Sequence, residues 1–154
     1  MKLKTKSYVY SFVLTFLFAA AGGLVTYLGM SRYDKLIHPF LTPPGWLFPV
    51  VWTVLFVLMA FGCAKVYASE SPLMPKAIFV YTVQLTMNFW WCLLFFGFGL
   101  YFTAFIWLLL LWAVVLVMII LFYRINKLWG LLQIFYLLWL SFAAYLNYGI
   151  WSLN

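Results

Sequence analysis

Tyr101–Tyr123 reads YFTAFIWLLLLWAVVLVMIILFY, 23 residues without a charge, with Arg124 directly behind it. About 20 apolar residues carry a helix across a bilayer. Lipid gives exposed backbone no hydrogen-bond partners, so a span must be a helix or part of a closed barrel. A barrel strand would alternate apolar and polar residues over roughly ten positions, and this run is continuous. Moving outward, Gly97-Phe98-Gly99 marks a tight turn before it and Arg124 to Lys127 a short polar connection after it. Further apolar runs then divide the chain into five spans, at about residues 8–30, 46–67, 76–96, 101–123 and 128–151. The reading is an all-α membrane protein, a five-transmembrane-helix bundle in a single domain over residues 1–154.

Composition excludes the alternatives. Of 154 residues 69% are hydrophobic and only 7% charged, against about 25% charged in an average soluble domain. The acids are Asp34 and Glu70 alone. So few polar groups cannot cover a soluble surface, which removes a soluble enzyme, a disordered tail and a secreted disulfide scaffold. The first span has the basic start and small residues of a secretory signal, but its apolar run is about twice a signal core, and a retained helix is expected. Lys and Arg set the orientation. Lys2, Lys4, Lys6, Lys65, Lys76, Arg124 and Lys127 fall on one side, seven against Arg32 and Lys35 on the other. That predicts a cell-membrane protein with a cytoplasmic N-terminus and an external C-terminus. The net charge of +7 follows from topology, and no nucleic-acid partner is expected.

Much catalytic chemistry is missing. Both acids lie in connections, so no span holds the carboxylate of a proton-coupled exporter. His38 is the one histidine, in a loop, and no metal site is expected. Cys63 and Cys92 lack ligand spacing and read as small buried hydrophobes. No Ser-His-Asp set, phosphate loop or dinucleotide fingerprint occurs.

What remains is aromatic. Nine tryptophans exceed what interfacial anchoring explains: Tyr8, Tyr10, Trp129 and Trp151 suit anchors, but Trp52, Trp90, Trp91 and Trp139 lie within spans. An indole N–H at that depth needs a partner, and Gln84, Asn88 and Asn147 are the available amides. Gln84, Asn88, Trp91 and Phe95 form one helical stripe. Tyr136, Trp139, Ala143, Leu146 and Asn147 form another, and Trp52 shares a face with Phe56. Two readings stand: the stripes pack on one another as core, or they line a slot for a flat apolar molecule. Thr42 and Pro43 suit a cap and a first helical position, which would put Pro49 inside the second helix and bend it. Ala19 with Gly23, and Ala60 with Ala64, are small pairs that let helices approach closely.

These residues resemble the tryptophan-rich sensory protein family, whose animal members are the translocator proteins, or peripheral benzodiazepine receptors. Tyr33, Pro39 and Thr42-Pro43-Pro44-x-Trp46 are similar to its first loop and second-helix start. Trp52-Thr53-x-Leu55-Phe56 is similar to its second helix. Gln84-Leu85-x-x-Asn88-x-x-Trp91 with Phe95-Phe96-Gly97 is similar to its third, and Tyr136-Leu137-x-Trp139-x-x-Phe142-Ala143-x-x-Leu146-Asn147-Tyr148 to its fifth. Where the family often has prolines after the third-helix Trp, Cys92 and Leu93 stand here. The tail Gly149 to Asn154 lacks the basic residue of the animal sterol pattern, which disfavours sterol transport and favours a bacterial inner membrane.

The resemblance implies a five-helix bundle, usually a homodimer, that binds tetrapyrroles (protoporphyrin or haem) in a pocket closed by the first loop, and binds benzodiazepine-receptor-type drugs. It also implies light-driven oxidative breakdown of protoporphyrin, with Trp52 and Trp139 as the reactive tryptophans; whether this amounts to an enzyme is left open. Tyr33, Pro43, Phe56, Asn88, Trp91, Ala143 and Leu146 would line the pocket, with Asn147 beside them. On this reading the macrocycle stacks on Trp52 and Trp139, Asn88 or Asn147 donates to it or holds a Trp rotamer, and its carboxylates pair with Arg32 and Lys35 at the rim. No cofactor beyond the tetrapyrrole ligand is required. The rival readings are a carrier for porphyrins or similar amphiphiles and a ligand-responsive membrane sensor.

Overall fold

The computed structural model describes residues 3–154, so Lys2 of the charge count lies outside the described residues. The helices are α1 (Leu3–Tyr33), α2 (Leu47–Tyr67), α3 (Met74–Cys92), α4 (Tyr101–Ile125), α5 (Lys127–Leu132) and α6 (Ile134–Leu153), and a π-helical turn, Leu93–Gly97, extends α3. Taking α3 with its π turn and α5 with α6, five units are long and apolar enough to cross a membrane. The protein is a five-helix, multi-pass membrane bundle.

The stretch that opened the reading is the central helix. Ala104, Leu108, Leu111, Val115, Met118 and Phe122 are fully buried at spacings of three and four, a single stripe of α4. They hold α4 against α3 on one side and α5 and α6 on the other. α1 packs on α2, α3 and the π turn through its own stripe, Ser7, Ser11, Thr15, Phe18, Gly22, Val25 and Gly29. Five of these are buried outright. A Cβ added to Gly22 would lie 3.3 Å from Cys92 Sγ, and one on Gly29 would lie 2.4 Å from the Phe96 carbonyl oxygen. Close approach on α1 therefore uses Gly22 and Gly29 rather than the expected pair: Gly23 has no atom within 4 Å of where its Cβ would be. Ala60 and Ala64 of α2 are fully buried.

Three local expectations change. Thr42 does not cap a helix; its hydroxyl donates to the Pro39 carbonyl at 2.7 Å inside the loop, and α2 starts only at Leu47 behind Trp46. Pro49 consequently falls in the first turn, where its missing N–H has no intrahelical partner to lose and the reason for a bend is gone. The fifth span is two helices. Gly130 sits so close to Tyr123 that an added Cβ would come within 2.4 Å of its backbone. The Gln133 N–H then bonds back three residues to Gly130 at 3.2 Å, while its buried side chain donates to the Leu58 carbonyl at 3.2 Å.

Candidate functional site

The bundle's two ends differ. At the end carrying the N-terminus, α1 and α2 are joined by aromatic pairs, Tyr8 with Phe61, Tyr10 with Tyr67 and Phe12 with Phe61, centroids 5.0 to 6.0 Å apart. Toward the other end α1 leans onto the π turn, Tyr33 meeting Phe95 and Phe96 at 6.1 and 5.7 Å. The space left between α1, α2, α3 and α6 is a cavity of about 520 Å³, within the usual range of small-molecule sites.

Its walls are aromatic and uncharged. Trp52, Phe56, Trp91 and Phe95 form one continuous surface. Trp52 stacks on Phe56 at 5.5 Å and stands 6.3 Å from Trp91, which stacks on Phe95 at 5.7 Å. Trp139 closes the α6 side against Phe48, 6.0 Å away. Of the residues singled out from sequence, Tyr33, Trp52, Phe56, Asn88, Trp91, Trp139, Ala143, Leu146 and Asn147 all line this one cavity. Pro43, Arg32 and Lys35 do not. Pro43 lies in the loop ahead of the late start of α2. With Tyr33 turned inward, its neighbour Arg32 points to the π turn and donates to the Gly97 carbonyl at 3.1 Å. Lys35 lies beyond the end of α1 and is exposed.

The amides serve the protein first. Asn147 accepts from Trp91 Nε1 at 3.0 Å and donates to the Tyr101 carbonyl at 2.8 Å, tying α3, α4 and α6 together. Asn88 donates to the Tyr136 hydroxyl at 3.1 Å, and that hydroxyl donates to Gln84 Oε1 at 2.9 Å. Only one indole thus uses the expected amides. Trp107 and Trp112 donate elsewhere, to the Met87 carbonyl at 2.8 Å and to Ser141 at 2.9 Å. Of the three amides, Asn88 is the one that lines the cavity with an oxygen no protein donor uses. Trp139 Nε1 is buried without a partner, an arrangement uncommon enough to call for a reason.

A lid closes the loop end. Between α1 and α2 the chain crosses to α6, where Asn154 Oδ1 accepts from the Ile37 N–H and Nδ2 donates to the Ile37 carbonyl, both at 2.9 Å. The Tyr145 hydroxyl donates to the Phe40 carbonyl. Pro39 fills the place of a side chain on Gly149, whose added Cβ would lie 2.5 Å from it. Beneath the lid His38 rests on Tyr33, ring centroids 4.6 Å apart.

Beyond Tyr33, sequence reasoning missed the α1 wall, formed by Phe16, Ala19, Gly23, Thr26 and Met30. The signal was present: these positions repeat every three or four residues and end at Tyr33. Cys92, read as a plain core residue, also borders the cavity.

Comparison with known proteins places this arrangement. The profile of the TspO/MBR family matches residues 11–152. A tryptophan-rich protein TspO of Chlorobaculum tepidum is 36% identical over 124 residues, covering 79% of this chain and 78% of that protein. The tryptophan-rich sensory protein of Cereibacter sphaeroides is 33% identical over 145 residues, covering 92% and 90%. The translocator protein of Homo sapiens is 32% identical over 129 residues, covering 82% and 76%.

Proposed function

This chain belongs to the TspO/MBR family, and we propose that it binds a tetrapyrrole such as protoporphyrin in the cavity and promotes its light-driven oxidative breakdown. The observation that carries the reading is an uncharged cavity of about 520 Å³ walled by indole and phenyl rings. Such walls favour a broad, flat, apolar face through offset stacking and area burial. Asn88 Oδ1 supplies an acceptor for a pyrrole N–H. The macrocycle's carboxylates, which find no cation among the lining residues, reach past the cavity mouth toward the wet rim near Lys35.

Light absorbed by the bound tetrapyrrole, together with dioxygen, supplies the oxidising power. The chain's share is to hold the ring against Trp52 and Trp139 and to exclude water. Trp91 is tied to Asn147, whereas Trp139 Nε1 has no protein partner. Trp52 of α2 and Trp139 of α6 both line the cavity where the ring would lie, and neither is engaged as Trp91 is, so they are the pair placed to give an electron to the excited ring in this proposal. Flat aromatic drugs of the benzodiazepine-receptor type would compete for the same walls.

The test is protoporphyrin fluorescence under illumination with the parent, Trp52→Phe, Trp139→Phe and, as a control, Trp107→Phe. Loss slowed about tenfold in the first two variants and unchanged in the third is expected. Equal rates in all four would overturn the tryptophan roles, and no dark binding by the parent would overturn the ligand. A carrier role is the second reading, favoured by the cavity's open flank between α1 and α2 and by the name of the translocator relatives. Protoporphyrin flux across proteoliposomes in the dark separates it from breakdown.

A further inference from the structure

Several residues that line the cavity are also exposed on the outside of the bundle. Tyr27 is 78% exposed and Phe16 37%, and Ala20, Gly23, Pro49 and Thr53 are exposed as well, although all six border the cavity. All six belong to α1 and α2, and the one other exposed lining residue is Gly45, in the loop just ahead of α2. Nothing lies within 4 Å of a Cβ added to Gly23, so that position opens on free space. This is a slot in the wall between two helices long and apolar enough to cross a membrane, so its outer side is one that lipid would cover.

The other route is shut. The lid is fastened to α6 by the paired Asn154–Ile37 hydrogen bonds, by Tyr145 on the Phe40 carbonyl and by Pro39 seated on Gly149. Loading through it would break all of these at once. Loading through the slot breaks no hydrogen bond: Thr53, the hydroxyl on its α2 edge, is satisfied by the Pro49 carbonyl at 2.7 Å.

We propose that the cavity fills sideways from the bilayer through the slot between Phe16–Tyr27 of α1 and Pro49–Thr53 of α2, and that its natural ligand is an uncharged-faced amphiphile dissolved in the membrane. The proposal rests on reading the cavity as a ligand site, not on the ligand being a tetrapyrrole. Small residues at Ala19, Ala20 and Gly23 then have a purpose that helix packing does not give them, since they keep the slot wide. The bilayer does the concentrating, because apolar surface partitions into hydrocarbon before it meets the protein.

An apolar aryl diazirine dissolved in proteoliposome bilayers and photolysed reads the route directly. Adducts are expected on Trp91 and Phe95, which are buried from lipid, as well as on lipid-facing Leu109. In Gly23→Phe or Ala20→Phe, adducts on Trp91 and Phe95 fall at least fivefold while Leu109 labelling holds, and Leu108, fully buried in the folded bundle, stays unlabelled, which shows that the variant is folded. In Tyr145→Phe with Asn154→Ala, which loosens the lid, labelling stays within twofold of the parent. The proposal is overturned if Trp91 and Phe95 are unlabelled in the parent, if both slot variants label like the parent, or if loosening the lid raises labelling severalfold. Protoporphyrin plays no part in this readout, so failure of tetrapyrrole binding and failure of the slot appear as separate results.

Discussion

The two halves of the bundle are built from the same apolar alphabet, yet one is solid and the other hollow. In the half near the N-terminus, α1 presents Ser7, Ser11 and Thr15, all fully buried. Small hydroxyl residues let α2 and α3 close on it, and Thr15 meets the Tyr81 hydroxyl at 2.5 Å. In the half under the lid, the same face of α1 closes on the end of α3 through Gly22 and on the π turn through Gly29, while α2 and α6 present Trp52 and Trp139. Indoles without matching hollows opposite them cannot interdigitate, so the helices stand apart around them. Hydrophobicity placed all five helices in the membrane; side-chain size decided where they touch.

The contrast is broken hardest at the glycines. Gly29→Ala drives a methyl to within 2.4 Å of the Phe96 carbonyl and Gly130→Ala one to within 2.4 Å of the Tyr123 backbone. Neither neighbour is a flexible side-chain end, so each should cost about 3 kcal/mol, the upper part of the overpacking range. Gly23→Ala meets nothing and gains up to about 1 kcal/mol of helix propensity. Reversible unfolding in mixed micelles, followed by loss of helical signal, compares them. Equal destabilisation by all three would mean that α1 packs uniformly and that the hollow half is not hollow.

Next in size is Tyr136→Phe. Its hydroxyl serves Asn88 and Gln84 together, and removing it leaves two buried amide groups short of a partner, at about 1–3 kcal/mol. Trp139→Phe removes an N–H that has no partner and should shift stability by less than about 1 kcal/mol, the loss being of ring area alone. If the order is reversed, the amide chain is incidental and Trp139 is a packing residue.

Much of this was legible in the residues. Charge-free runs gave the five spans, and three-and-four spacing gave the stripes around Gln84–Phe95 and Tyr136–Asn147 that border the cavity. What escaped was set by neighbours. Gly22, Gly23 and Gly29 look alike in sequence, and only the lean of α1 decides which one abuts a backbone. The fifth span breaks near its start, at Gln133, where a buried amide reaches the Leu58 carbonyl, some 75 positions away, a partner no local pattern names. Arg32 seemed placed for a ligand carboxylate, but one residue is about 100° of helix turn, and with Tyr33 turned inward Arg32 meets the Gly97 carbonyl instead. Asn147 looked like a donor to a ligand, yet both ends of its amide are used within the protein.

The smallest effect concerns the lid. Asn154→Ala removes two exposed hydrogen bonds to Ile37 and one to the Ile150 carbonyl. Solvent competes for each, so global stability should change by no more than about 1 kcal/mol. The local consequence is larger than the global one, because Ile37 N–H loses the only side-chain acceptor that holds it. Its amide hydrogen exchange should quicken about tenfold, while exchange at Cys63 and Val66, buried in the packed half, stays as it was. Pro39 on Gly149 and Tyr145 on Phe40 remain in place in that variant. Unchanged exchange at Ile37 would therefore locate the lid's hold in those two contacts and make Asn154 a trim on the end of α6. Quickened exchange at Cys63 as well would mean that the two halves open as one unit, and the contrast between them would be one of shape without any difference in local stability.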